Sequence, residues 1–194
     1  MFTLARRIRA RLSKLQAVRR PEARRRLADQ FLRADIGELV AGPPGSTWFH
    51  SAPTPDGRRL VANTSDPLRE QKLWEACFDD DRDVLLGRRV LDVGAGDGFF
   101  SVAATLCGAR SVHAVDLGPP ANPGFPANLR WLSRVWGVGP AVTVGDFLSL
   151  PADGPKYDVI LLFGVLEHFD DLFAGMRKVA DLLAPVGGSI WKRR

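Results

Sequence analysis

The sequence predicts an α/β fold built on a doubly wound, mostly parallel sheet. Two observations carry that expectation. Short apolar or β-branched runs (Arg89–Val93, Ser111–Val115, Val142–Val144, Tyr157–Phe163) alternate with amphipathic helical stretches. Strands that alternate with helices imply a parallel sheet with right-handed crossovers. The run Val90 to Val93 also stops at Gly94, Gly96 and Gly98, and an apolar helical pattern (Phe99, Phe100, Val102, Ala103, Leu106) follows directly. Glycines allow a tight turn and a close approach to the backbone, and the helix start beyond them presents free N–H groups.

Before the core, residues 2–18 place Leu4, Ile8, Leu12, Leu15 and Val18 at helical spacing, with Arg6, Arg7, Arg9, Arg11 and Lys14 between them. Pro21 suits the first turn of a second helix, and Leu27, Phe31, Ile36 and Leu39 continue a partly apolar face. Gly42-Pro43-Pro44-Gly45 reads as a linker. Trp48-Phe49-His50-Ser51 follows, then a turn-rich stretch from Pro53 to Gly57. Asp66-Pro67 reads as an N-cap and a first-turn proline. A helix to about Phe78 is expected, with Leu68, Leu73 (or the stem of Lys72), Trp74 and Phe78 inward. Asp79, Asp80, Asp81 and Asp83 read as a solvated loop, since nothing orders them as a metal cage.

In the core, Arg89–Val93 is strand one and Phe99–Cys107 its helix. Ser111–Val115 is strand two, ended by Asp116, and Pro119 to Pro126 is a proline-rich loop. Leu129–Val138 is a helix, Val142–Val144 strand three and Tyr157–Phe163 strand four. Asp171–Leu183 is a helix and Gly188–Trp191 strand five. The expected organisation is a basic helical arm over 1–45, a linker and lid-like segment over 46–87, and the core over 88–194.

Bulk properties bound the answer. A chain of 194 residues, 45% apolar, suits one domain with an extension. No run approaches the roughly 18 apolar residues that span a membrane. Cys77 and Cys107 lack metal-ligand spacing, which argues against structural zinc and for a reducing, cytoplasmic setting. Both read as small buried hydrophobes. Residues 1–34 hold 11 Lys/Arg and 2 Asp/Glu, and the remainder 16 and 20. The basic character therefore belongs to the arm. A helix packed on the core, a nucleic-acid phosphate contact and a membrane-surface contact all fit it, and the absence of any acid in residues 1–20 also fits a transit peptide.

Spacing decides which nucleotide suits the glycine turn. A dinucleotide site wants Gly-x-Gly-x-x-Gly, whereas here the third glycine comes one residue early and Phe99 stands in its place. The pattern Val90-Leu91-Asp92-Val93-Gly94-Ala95-Gly96-Asp97-Gly98 resembles motif I of the class I S-adenosylmethionine (SAM)-dependent methyltransferases. That resemblance implies a Rossmann-like core with SAM as cofactor. It implies cofactor contacts from Asp92, Gly94, Ala95, Gly96 and Gly98 around the turn. Asp116, with Leu117 beside it, would accept from the ribose hydroxyls. Asp146 would accept from the adenine amino group, with Phe147 packing on the ring and Phe163 lining the site; Asp146 also reads as a helix cap, since Ser149 and Pro151 follow closely.

The segment from Phe163-Gly164-Val165-Leu166-Glu167-His168 to Gly188 is similar to the strand-four region of the bacterial family containing the tRNA wobble-uridine carboxymethyltransferase and its methyltransferase relatives. Trp48-Phe49-His50 is similar to a Trp-aromatic-His segment of the same relatives. Where that subfamily commonly has Tyr before the His, this chain has Glu167. The resemblance makes His168 and Glu167 candidates for the catalytic base that takes an acceptor proton. Glu167 also reads as a helix cap, and His168 as a structural histidine. His50 is a further candidate from the upstream segment, and His113 reads as structural. Trp48 and Phe49 suit ordinary packing, a lid, or a stacking platform.

The resemblance leaves the acceptor open between a small metabolite and a tRNA base, and the donor between SAM and its carboxylated relative. Class I methyltransferases continue past strand five, so a core truncated there is expected, with a homodimer or partner covering its edge. A SAM-binding but inactive regulatory subunit is the second reading.

Overall fold

A computed structural model describes residues 21–42, 46–60, 66–78 and 82–185. The predicted helix over 2–18, strand five at Gly188–Trp191 and the acids Asp79–Asp81 lie outside the described residues. A four-stranded sheet forms the centre. Its strands are β3 (Arg89–Val93), β4 (Ser111–Asp116), β5 (Ala141–Val144) and β6 (Val159–Leu161). They are all parallel, in the order β5-β4-β3-β6. The chain steps outward from β3 to β5, then returns to the other side of β3. A crevice opens at such a reversal, beyond the carboxyl ends of the strands.

Alternation along the strands buries both sheet faces. Val90, Val112 and Leu161 face a cluster with α3 (Phe99–Leu106) and α4 (Ala127–Trp136). Leu91, Val93 and Val115 face α5 (Leu172–Leu182) through Val179 and Leu182. Every residue of α3 except Thr105 is buried. It is the central helix of its layer, which explains why its sequence shows no polar face. Asp171 caps α5 by accepting from Ala174 N at 2.9 Å.

Helix α1 (Pro21–Leu32) begins at the expected proline. Phe31 and Leu32 are fully buried, and the Phe31 ring lies 4.8 Å from Phe99 and 5.0 Å from Trp136. The apolar face ends there. Ile36 and Leu39 are 44% and 50% exposed, because the helix stops at Leu32 and the chain enters a two-residue strand, β1 (Leu39–Val40). It pairs in parallel with β2 (Arg59–Leu60), a small sheet that the sequence did not announce.

Helix α2 (Arg69–Phe78) forms where expected, with Asp66 Oδ1 accepting from Leu68 N at 3.0 Å. Its inward face differs from the expected one. Glu70, Gln71 and Trp74 are buried, while Leu73 is 38% exposed. Arg59 is the reason. Its buried guanidinium donates to Gln71 Oε1 at 2.7 Å, to Ala34 O at 2.9 Å and to Pro67 O at 3.1 Å. A buried cation draws the polar side of the helix inward. Cys77 consequently sits exposed on α2, contrary to the expected buried hydrophobe, and Cys107 is half-buried. Among the described residues no helix is long and apolar enough to cross a membrane.

Candidate functional site

The carboxyl ends of β3, β4, β5 and β6 border a cavity of about 820 Å³. Small-molecule sites run from roughly 300 to 1,000 Å³. Seven of the predicted cofactor residues line it: Gly94, Gly96, Asp116, Leu117, Asp146, Phe147 and Phe163. Asp92, Ala95 and Gly98 stand behind its wall. Asp92 is buried and accepts from Ser101 Oγ at 2.6 Å, and burial pushes its carboxyl up to about 7. It ties β3 to α3 rather than facing the cavity. Ala95 is buried with its N–H on Val115 O. Gly98 has φ +91°, and a Cβ there would lie 2.6 Å from Leu129 Cγ, so this glycine serves helix packing.

Gly96 serves the cavity. Its φ is +55°, and a Cβ would lie 2.8 Å from His50 Cε1. Its N–H donates to Asp116 Oδ2 at 2.9 Å, and Asn122 Nδ2 donates to the same oxygen at 3.1 Å. The acid at the end of β4 is thereby aimed across the glycine turn. Asp146 Oδ1 accepts from Leu148 N at 2.9 Å and caps a 3-10 turn over Phe147–Ser149. Phe147 stacks on Phe169 with centroids 5.9 Å apart, and Phe163 stacks on Phe100 at 4.1 Å.

The segment 47–50 forms one wall, fastened by a residue inside the glycine turn. Asp97 Oδ2 accepts from Phe49 N and His50 N, each at 2.6 Å. Asp97 Oδ1 accepts from Asn128 Nδ2 at 2.8 Å, which also donates to Thr47 O at 2.7 Å. Asp97 is 1% exposed, and nothing in the sequence pattern distinguished it from a solvated turn acid. Trp48 turns into the core against Trp131, while Phe49 remains 58% exposed at the cavity rim. His50 faces the cavity with a buried Nδ1 that has no hydrogen-bond partner among the described residues, and burial lowers its pKa, so the ring is neutral near pH 7.

Helix α2 adds Arg69 and Glu70 to the lining. Glu70 is 1% exposed, and among the described residues neither carboxylate oxygen meets a hydrogen-bond donor of another residue. Burial pushes its carboxyl from 4.5 up to about 7. The folded protein therefore holds a proton that the unfolded chain has released, and this contribution is full below about pH 4.5 and lost as pH rises through about 7. Glu70→Gln removes the penalty of a buried charge. In urea titrations the variant is expected to gain about 1–2 kcal/mol over wild type near pH 8 and almost nothing near pH 4.5. Equal shifts at both pH values would refute the titration of Glu70.

The catalytic candidates separate. His168 lines the cavity from the 3-10 turn Leu166–His168 and is exposed. Glu167 is exposed beside Gly164, outside the lining. His113 lies in β4 away from the cavity, between Tyr157 Oη at 2.5 Å and Thr143 Oγ1 at 2.8 Å, which fits the structural role expected of it.

The donor set fits a nucleoside with an amino-acid tail. Glycines leave room along the backbone, an acid ends β4, aromatic rings supply apolar faces, and buried polar side chains point in without partners. The parallel sheet, its glycine turn and its acid-ended strands define a Rossmann-like class I methyltransferase core, whose cofactor is SAM. The chain belongs to the methyltransferase-domain family, whose model matches residues 6–190.

The chain is 32% identical over 122 residues to the ubiquinone biosynthesis O-methyltransferase of Marinobacter nauticus, covering 62% of this chain and 50% of that protein. It is 36% identical over 101 residues to the ribosomal protein L11 methyltransferase of Anoxybacillus flavithermus, covering 50% and 31%. Among solved structures it is similar to magnesium protoporphyrin IX methyltransferase from Synechocystis with bound SAM. The TM-score is 0.44 at 25% identity, over 60% of this chain and 52% of that one. The chain thus spans about half or less of the length of these curated relatives.

Proposed function

We propose that this chain transfers the methyl group of SAM to a small, uncharged or cationic acceptor. One observation carries the choice of acceptor. Among the described residues six carboxylates line the cavity (Glu70, Asp97, Asp116, Asp146, Asp170 and Asp171) against one guanidinium, Arg69, and the exposed pair Asp170 and Asp171 remains for the acceptor when those held by the wall or given to the cofactor are set aside. A polyanion such as tRNA entering that opening would meet like charge, whereas nucleic-acid sites present basic surfaces. A small apolar molecule would meet Phe49, Leu73 and Phe169 at the rim. The relative named for ubiquinone biosynthesis is compatible with this class of acceptor, and the one named for a ribosomal protein is not.

In this reading Asp116 accepts from the ribose hydroxyls, Asp146 and Phe147 hold the adenine, and Gly94 and Gly96 let the cofactor lie on the backbone. Arg69 faces its carboxylate. Bound SAM supplies a methyl carbon already activated by its positive sulfur. The protein contributes alignment and exclusion of water. In the same reading His168 accepts the acceptor's proton, which its position in the cavity lining, with Glu167 outside it, supports.

Incubation with labelled SAM and an extract fractionated into RNA and small molecules tests the acceptor. Label in the small-molecule fraction is expected, and label confined to RNA would refute the reading. His168→Ala is expected to lower that transfer about 100-fold with S-adenosylhomocysteine affinity unchanged. Cofactor binding without transfer to any fraction would favour the second reading, a SAM-binding regulatory subunit.

A further inference from the structure

We propose that Glu70 receives the α-ammonium group at the amino-acid end of the cofactor. The proposal rests on reading the cavity as the SAM site. Glu70 lines that cavity, is 1% exposed, and among the described residues keeps both carboxylate oxygens without a donor from another residue. A buried carboxylate in that state is costly, and a cation that completes its hydrogen bonds removes the cost. The cations already near it do not do so. Arg69 Nη1 stands 3.8 Å from Glu70 Oε1, beyond hydrogen-bond length. Arg59 gives its described hydrogen bonds to Gln71, Ala34 and Pro67.

Arg69 Nη1 and Glu70 Oε1 stand 3.8 Å apart, so a guanidinium and a carboxylate are presented side by side. An amino acid carries carboxylate and ammonium on one carbon, the complementary pair at the complementary spacing. An ammonium offers three donors to the two vacant oxygens. An uncharged acceptor group would leave the Glu70 charge buried and unneutralised, so the ammonium is the better match.

Binding should also move a proton. In the free protein the groups acting on Glu70 are Arg69 on α2, Arg59 on β2 and Asp66 before α2. Their balance with burial leaves the carboxyl about half protonated near neutrality. An ammonium against it favours the carboxylate, and the proton leaves to solvent.

The experiment is calorimetric titration of the full chain with two probes, S-adenosylhomocysteine and methylthioadenosine. The second keeps adenine, ribose and sulfur but lacks the amino-acid end. Titrations near pH 7 in two buffers of different ionisation enthalpy report the proton. Wild type is expected to release roughly half a proton with S-adenosylhomocysteine and none with methylthioadenosine. Glu70→Gln is expected to weaken S-adenosylhomocysteine about tenfold or more, abolish the release, and leave methylthioadenosine within about twofold.

Equal weakening of both probes, or unchanged S-adenosylhomocysteine affinity, would overturn the role of Glu70 while leaving the site assignment standing. The wild-type proton count stands without any variant, and zero release would overturn the proposal too. Failure of wild type to bind either probe would overturn the site assignment itself.

Discussion

Asp116→Ala is expected to weaken S-adenosylhomocysteine binding by about 100-fold or more. Asp116 ends β4 in the crevice made by the reversal of strand order, and its carboxylate is already oriented. Gly96 N and Asn122 Nδ2 both hold Oδ2. A carboxylate that accepts from two ribose hydroxyls makes two charge-assisted hydrogen bonds, each worth roughly 1.5–3 kcal/mol. Losing about 3 kcal/mol of them corresponds to a factor of roughly 150. The fold should tolerate the change, because Asp116 is only partly buried. Isothermal titration alongside thermal unfolding separates the two effects. A folded variant with wild-type affinity would remove Asp116 from the cofactor site and move the ribose elsewhere.

Asp97→Ala is expected to lower stability by about 3 kcal/mol and to loosen the segment 47–50. Three donors lose their acceptor: Phe49 N, His50 N and Asn128 Nδ2, the last keeping Thr47 O. Each buried donor left without a partner costs roughly 1–3 kcal/mol. Water entry near the cavity wall returns part of that, so about 3 kcal/mol is the expected net. Urea titration measures it. Hydrogen exchange localises it, with Phe49 and His50 amides losing protection before those of β3. A loss under about 1 kcal/mol would mean that Trp48 packing alone holds the segment.

The predictions differ in how far they could be anticipated from the residues. Asp116 follows a β-branched run at a fixed distance from a glycine turn, and both signals are local. Strand periodicity put β3 at its observed limits, and the apolar pattern started its helix at Phe99. The ends of β6 were less legible. Its run reads Tyr157–Phe163, but the ladder covers Val159–Leu161, with Tyr157 bridged instead to Leu183 near the end of α5. Pairing partners decide strand ends, and partners distant in sequence leave no local mark.

Glu70 and Asp97 were illegible for a related reason. Each is an acid in a polar stretch, and such acids are ordinarily solvated. Glu70 is buried because Arg59, itself buried, draws the polar side of α2 inward. Asp97 is buried because the chain before α2 folds back over the glycine turn and presents two N–H groups to it. Glu167 and His168 are neighbours with the same appeal in sequence, yet only His168 borders the cavity.

By itself, then, the sequence determined the parallel α/β core, the glycine turn at Gly94–Gly98 and the acids at the ends of β4 and β5. These rest on local periodicity, backbone permissiveness and spacing, all written in consecutive residues. Tertiary structure alone decided which glycines face the cavity, which acids are buried, and that Arg69 and Glu70 join the site. Those outcomes depend on contacts between segments tens of residues apart, where packing and desolvation override the local pattern.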